Sequence, residues 1–287
     1  MRILLLFFLI FSVSCSKDIV LEPMPYETKL VVDGWIENGE LAQVLLTMSS
    51  PFMTEYDSAS IRNTFVNYAR VSIRNSIGES EVLTLSHCAD FFPPFVYKTI
   101  KMKGQVGETY TLKVEARGKV LTGVTTIPAL PLVDEVFMQS VSDTSQILYA
   151  IIRDDALSKN YYYSQIYTRH YDTRFHPSGN PLLNDHLFNG KEHLLMVKRS
   201  EQADPLNIHH MDTDRNILPD EFAISDTVVL KISQIDAETY RVLNGIYIDH
   251  LSQGSPFTFV DQQTPTNIQG GIGRWTGLAT QRFLVHQ

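Results

Sequence analysis

The chain has 287 residues, a formal net charge of −8, and 44% hydrophobic and 20% charged residues. This composition is ordinary for a globular protein, and it excludes a chain that is disordered throughout. A mildly acidic chain without basic clusters also argues against nucleic acid as a partner.

The first fifteen residues predict a secretory signal that ends at a cysteine. Met1-Arg2 precede an apolar run from Ile3 to Val13, and the chain becomes polar directly after Cys15. A basic start, a short apolar segment and a small residue before the break are typical of a signal peptide. A cysteine at the junction is typical of a bacterial lipoprotein, although Ser12 stands where such signals usually have Leu, Val or Ile. We therefore expect residues 1–14 to be removed and Cys15 to be lipidated.

The mature chain is expected to lie beside a membrane and not through it. It would have 273 residues (287 − 14) and, without Arg2, a net charge of −9. No other apolar run approaches the roughly 18–20 residues that cross a bilayer. Cys88 is the only other cysteine, so no internal disulfide is expected. We interpret Cys88 as a half-buried structural residue and not as a nucleophile paired with His87.

Residues 15–28 are predicted to be a tether, and residues 29–128 an Ig-like β-sandwich. Short alternating segments punctuated by turns fill the second range, without a helical period. Asn38-Gly39 between two such segments is a strong hairpin signal, because this pair accepts the backbone of a tight turn. Several short strands in about one hundred residues are typical of a sandwich.

After Pro128-Ala-Leu-Pro131, residues 132–287 are predicted to form a second β-rich domain with one amphipathic helix. Alternation resumes at 133–138, and two long loops are expected at 172–192 and 200–226. The helix is predicted near 236–252, with Ser233 and Asp236 resembling a capping box. The fold class is thus mainly β.

A tyrosine-rich strand is the candidate ligand-binding feature of the second domain. At strand spacing, four tyrosines share one face with Gln165 and with Arg169, and they are Tyr161, Tyr163, Tyr167 and Tyr171. Such a tyrosine face could stack on sugar rings, bind a peptide, or contact another protein. The alternative is that these residues are simply good strand formers that pack.

No metal, cofactor or catalytic set is expected. Asp212, Asp214 and Asn216 have the oxygen spacing of a calcium loop, with Asp220 as a further candidate. Ile217 and Ala223 stand where that loop needs Gly and Glu, so an adventitious acidic loop is favoured. The histidines lack zinc spacing and are expected to face solvent; they include His186, His193, His209 and His210. The glycines at 270–273 lack a phosphate-binding pattern and favour turns or close packing.

Three motifs resemble a known family. They are Lys29-Leu-Val-Val-Asp-Gly-Trp-Ile-Glu-Asn-Gly-Glu40 with Leu46-Thr-Met-Ser-Ser-Pro-Phe52, then Phe188-Asn-Gly190, then Ser255-Pro-Phe257 with Asn267-Ile-Gln-Gly-Gly-Ile-Gly273. They are similar to the Bacteroidota lipoproteins catalogued as domain of unknown function 4249. The resemblance implies an outer-membrane lipoprotein, often encoded beside TonB-dependent transporters, with no established activity. Ser16-Lys17-Asp18 resembles a tag that routes such lipoproteins to the outer face.

The leading hypothesis is a non-enzymatic, surface-exposed lipoprotein that partners a TonB-dependent transporter or captures its ligand. A second hypothesis is a lipoprotein that binds a glycan or peptide alone through the tyrosine face. A third, ranked last, is a hydrolase built on the loops at 172–192 and 200–226.

Overall fold

The computed structural model describes residues 26–50, 58–89, 91–199, 220–252 and 265–286. The predicted signal segment, Cys15, most of the predicted tether and residues 212–216 therefore lie outside the described residues. In the described part, the chain is mainly β with several sheets and one long helix, which confirms the predicted fold class. The described stretches contain no helix that is both long and apolar enough to cross a membrane.

The strands and helices are numbered in chain order. The strands are β1 (Leu30–Glu37), β2 (Leu41–Met48), β3 (Arg70–Asn75), β4 (Ser80–Val82), β5 (Thr84–His87), β6 (Phe95–Lys103), β7 (Thr109–Ala116), β8 (Lys119–Thr126), β9 (Leu132–Ser140), β10 (Ser145–Arg153), β11 (Tyr161–Thr168), β12 (His176–Asn184), β13 (Glu192–Val197), β14 (Phe222–Ala223), β15 (Val228–Ile235), β16 (Ile268–Gln269) and β17 (Ile272–Val285). The helices are α1 (Ser58–Asn63) and α2 (Ala237–Ser252), and a 3₁₀ turn covers Asp185–Leu187.

These strands form three sheets. An eight-stranded sheet has the order β12-β11-β15-β17-β1-β2-β6-β5, and a five-stranded sheet has the order β16-β8-β7-β3-β4. In the third sheet, β10 pairs with β13 and β14 along one edge and with β9 along the other. The predicted hairpin at Asn38-Gly39 is confirmed, because β1 and β2 pair antiparallel around it.

The five-stranded sheet packs on the β1, β2 and β6 part of the eight-stranded sheet and encloses one apolar core. Residues from both sheets are buried there, including Leu46, Tyr97, Leu112, Leu121 and Trp275. Sheets packed face to face with alternate side chains inward make a sandwich. Its Ig-like topology stays a prediction.

The last strand, β17, joins the two halves of the chain. Its residues 272–278 run parallel to β1, and its residues 279–285 pair antiparallel with β15. Trp275 on β17 is fully buried in the sandwich core, where its indole nitrogen donates to the carbonyl of Tyr110 at 3.0 Å. The sandwich therefore contains residues from both 29–128 and the C-terminal region, and the division into separately folding units at 128–132 stays a prediction.

Close approach of β17 to β1 depends on glycine. A Cβ on Gly273 would overlap the carbonyl oxygen of Val32 and would lie 2.8 Å from the Val32 nitrogen. Gly273 also has φ +116°, a backbone conformation that other residues rarely adopt. Opposite, Gly34 of β1 leaves room for the ring of Trp275, since a Cβ there would lie 2.8 Å from it. The predicted role of the glycines at 270–273 in close packing is thus confirmed.

The helix α2 confirms the helix predicted near 236–252, but its cap differs from the prediction. Asp236, not Ser233, is the N-cap: its carboxylate accepts from the backbone N–H of Thr239 at 2.6 Å. The same carboxylate accepts from the hydroxyl of Thr125 at 3.0 Å, which ties the helix to β8. Ser233 lies inside β15 and shares a hydrogen bond with Thr280.

The predicted loop at 172–192 is wrong, because it contains β12 and the 3₁₀ turn. Pro177, Gly179 and Pro181 are local signals against a regular strand. A proline has no backbone N–H to donate, so it is tolerated in a strand only at a sheet edge or a bulge. β12 is the edge strand of the eight-stranded sheet, and its pairing with β11 shifts register between Tyr163 and Gln165. The segment 200–226 also contains the short strand β14 within its described part.

Candidate functional site

The tyrosines of β11 do not form one open face. Tyr163 is only 7% exposed and packs in a small core with Leu243 of α2 and Leu278 of β17. The ring of Tyr161 lies 4.8 Å from that of Tyr240, also on α2. The helix therefore covers the end of the strand where both tyrosines lie.

The remaining members of the predicted set are placed at the other end of β11. Tyr167 packs against Phe175, with 5.7 Å between ring centroids. Arg169 and Tyr171 follow the strand and are exposed. The guanidinium of Arg199 lies 6.0 Å from the Tyr171 ring, and it pairs with the buried carboxylate of Asp226 at 2.7 Å. The structure thus brings Tyr161 and Tyr163 together beneath α2, separately from Tyr171 and Arg169.

A buried carboxylate near the 3₁₀ turn resembles a catalytic group but is fully engaged by its neighbours. One oxygen of Asp154 accepts from the hydroxyl of Tyr162 at 2.8 Å and from the amide of Asn160 at 3.1 Å. The other accepts from the backbone N–H of Gly190 at 2.9 Å. Burial, and then the bond to Asp154, raise the pKa of Tyr162. This cluster holds the Phe188-Asn-Gly190 motif in place, which is a structural role.

The described part of the calcium candidate does not point to a metal. Asp220 pairs with Lys198 at 2.8 Å, and this hydrogen bond lowers the pKa of the Asp220 carboxyl. In the described ranges, no group of three or more His, Cys, Asp or Glu side chains is arranged to hold a metal ion. Asp212, Asp214 and Asn216 lie outside those ranges, and the calcium site stays untested.

Of the candidate histidines within the described residues, His186 faces solvent as predicted, whereas His193 does not. His193 stacks on Phe188 with 4.3 Å between ring centroids, and burial lowers its pKa. His186 is exposed in the 3₁₀ turn. His209 and His210 lie outside the described residues. Cys88 is half-buried and forms no disulfide.

An apolar row on the outer face of the third sheet is the strongest candidate for a contact surface. On β10, Leu148, Ala150 and Ile152 face the core, so the alternate residues face outward. Cross-strand pairing aligns Phe137, Tyr149 and Met196, and places Ile151 beside Leu194. We call these five residues the outer apolar row.

The outer apolar row is partly exposed to solvent, since Leu194 and Met196 are exposed while Phe137, Tyr149 and Ile151 are half-buried. Leu194 is 55% and Met196 48% exposed, and the rings of Phe137 and Tyr149 stack at 5.6 Å. Arg153, paired with Asp134, lies at one end. An exposed apolar patch with a polar rim is typical of a protein interface.

Sequence reasoning missed this surface, although β10 carried a signal for it. The segment Gln146–Arg153 has apolar residues on both faces of the strand, with Ile147, Tyr149 and Ile151 alternating with the core residues. A strand that is apolar on both sides is normally covered on both sides. Here one side faces the core, and the other is the outer apolar row.

The fold and its surfaces define a mainly β protein with a densely hydrogen-bonded interior and an open apolar sheet face. The sequence model of the family described as "Domain of unknown function (DUF4249)" matches residues 17–282. The chain belongs to this family, as the resemblance predicted. The comparison with curated proteins gives no match.

The first and last motifs of that resemblance meet in the structure. Asp33 of β1 forms an ion pair with Arg274, which directly follows the Asn267–Gly273 motif. Asn267 brackets the backbone of Trp275, donating to its carbonyl at 2.7 Å and accepting from its N–H at 2.9 Å. The motifs therefore encode the parallel pairing of β1 with β17. Ser255-Pro-Phe257 lies outside the described residues.

Proposed function

We propose that this protein is a non-catalytic lipoprotein anchored in the outer membrane through Cys15, at the cell-surface face. In this proposal it partners a TonB-dependent transporter or captures the ligand of one. The observation that carries the proposal is the signal segment that ends at Cys15, followed directly by polar residues.

The outer apolar row supports a role in protein contact. A large aromatic pair beside exposed Leu194 and Met196 offers the type of residue that interfaces favour. The row lies on paired strands, so its side chains are held in place before a partner arrives, which lowers the entropic cost of binding. The transporter is the partner to which we assign this surface.

Replacement of Cys15 by serine is expected to abolish lipid attachment and to release the protein from membranes. The thiol is the acylation site in this proposal, and several acyl chains anchor firmly where one binds only marginally. The measurement is incorporation of labelled palmitate, together with the distribution of the protein between membrane and soluble fractions. Cys88→Ser is the matched control and should keep the label. A wild-type protein without lipid would contradict the anchor.

Substitutions in the outer apolar row are expected to reduce binding to the partner specifically. A detergent-solubilised pull-down of the native lipoprotein is expected to recover an outer-membrane transporter, identified by mass spectrometry. Leu194→Thr/Met196→Thr should reduce that recovery about tenfold or more, since a few central apolar residues carry most of the energy of an interface. Threonine keeps the strand propensity of these positions.

Two exposed leucines outside the row provide the matched control. Leu157→Thr/Leu187→Thr removes at least as much exposed apolar area from positions on turns, and transporter recovery should not change. Pull-downs that recover no transporter with the wild type would overturn the proposed partnership. Equal recovery with both double variants would show that another surface makes the contact.

A further inference from the structure

A shallow groove of about 410 Å³ lies at the corner of the sandwich where the chain enters the fold. The groove is formed by the start of β3 and by the turn between β7 and β8, and its lining includes Tyr68, Arg70, Glu115, Arg117, Lys119 and Val120. The carboxylate of Glu27, just before β1, lies 3.4 Å from the ammonium of Lys119. The segment that leads back to Cys15 therefore starts beside this groove.

The groove is positively charged in a protein of net charge −8. Its lining has three cationic side chains and one carboxylate, that of Glu115, and the Glu27 carboxylate beside it pairs with Lys119, so the cations still outnumber the carboxylates. Glu115 is also shared, because it lies 2.6 Å from Lys113 and 3.8 Å from Arg70. Arg117 is exposed in its turn and takes part in none of the ion pairs of the described residues. The corner thus offers cations to an external anion.

Exposed apolar and aromatic side chains lie beside these cations. Tyr68 is almost fully exposed, Val120 is exposed, and Tyr26 before β1 is also exposed. Tyrosine rings are enriched where proteins meet the headgroups of a membrane. Lysine and arginine beside them are attracted to anionic lipid.

We propose that this corner rests on the anionic headgroups of the membrane, with Arg70, Arg117 and Lys119 contacting lipid phosphates. The inference extends the proposed anchoring at Cys15 and fixes which end of the sandwich faces the lipid. Residues 15–26 extend to roughly 40 Å at most, so an anchored protein keeps the groove within about that distance of the surface. Anchoring makes the contact intramolecular in effect, which strengthens the attraction that the groove itself has for anionic lipid.

The test uses the mature chain with Cys15→Ser, so that no lipid contributes. Sedimentation with vesicles is compared for phosphatidylcholine alone and for equal parts of phosphatidylcholine and phosphatidylglycerol. We expect binding to the anionic vesicles only, and a decrease of about tenfold in Arg117→Asn/Lys119→Glu. Asparagine is chosen because it tolerates the φ of +50° at position 117.

The matched control carries the same change of charge elsewhere. Lys159→Glu/Lys191→Asn replaces two exposed lysines in the other half of the chain, and vesicle binding should be preserved. Equal binding by both variants, or no preference for anionic vesicles, would overturn the inference. So would competition by inorganic phosphate beyond that of chloride at the same ionic strength, because the groove would then be a site for a free anion. Failure of the anchor is distinguished by the mass of Cys15 in the lipoprotein, which this vesicle assay does not measure.

Discussion

Replacing Glu37 with leucine is expected to destabilise the fold by about 3–5 kcal/mol. Glu37 is 5% exposed and accepts from the ammonium of Lys231 at 2.6 Å, and Lys231 is itself only 8% exposed. Burial lowers the pKa of Lys231, and the carboxylate of Glu37 opposes that shift. Without the carboxylate, an uncompensated charge stays buried beside the ring of Phe175. The measurement is the free energy of unfolding in urea.

The companion variant Glu37→Leu/Lys231→Met should recover most of the lost stability. A buried ion pair often has little net effect compared with apolar residues of similar volume, whereas removal of one partner is costly. Arg282, which also pairs with Glu37, is 43% exposed and can be hydrated in either variant. Glu238→Leu, which breaks an exposed pair with Arg241, should cost no more than about 1 kcal/mol. A single Glu37 variant as stable as this control would contradict the prediction.

Gly273→Ala is expected to destabilise the protein by at least about 4 kcal/mol or to prevent folding. The added Cβ would overlap the carbonyl of Val32, so β17 would have to move away from β1. The unfavourable φ at this position adds to that cost. Urea unfolding measures the effect, and hydrogen exchange at the amides of β1 locates it.

Gly107→Ala measures the cost of the backbone conformation without the cost of the close contact. Gly107 has φ +85°, and a Cβ there would meet no atom within 4 Å. This variant should therefore show only the cost of the backbone conformation, about 1–2 kcal/mol. Similar losses in both variants would mean that close contact between β1 and β17 contributes little.

Features encoded by local sequence were predictable. The hairpin at Asn38-Gly39 and the helix α2 follow from turn chemistry and from apolar spacing over a few residues. β12 was missed because prolines are a local signal against a strand, whereas its place at a sheet edge is a property of the whole fold. The parallel pairing of β1 with β17 was also missed, because strands so far apart in the chain leave no local signal of their pairing.

The candidate surfaces show a related limit. Alternation correctly places Tyr161 and Tyr163 on the same side of β11, but it cannot reveal that α2 covers that side. The outer apolar row consists of residues from three strands whose register is known only from the folded sheet. The groove at Arg70 and Arg117 likewise unites residues that are well separated in the chain.

The pairing of β1 with β17 also determines when the protein can finish folding. Asp33 and Arg274 are separated by 241 residues, and Trp275 completes the core against which β1 packs. Contacts so distant in sequence form slowly, because a long loop must close before they are gained. The sandwich must therefore remain open during synthesis until β17 has emerged. A product truncated before residue 272 would expose its unfinished core and the free edge of β1, making it prone to aggregation and to proteolysis.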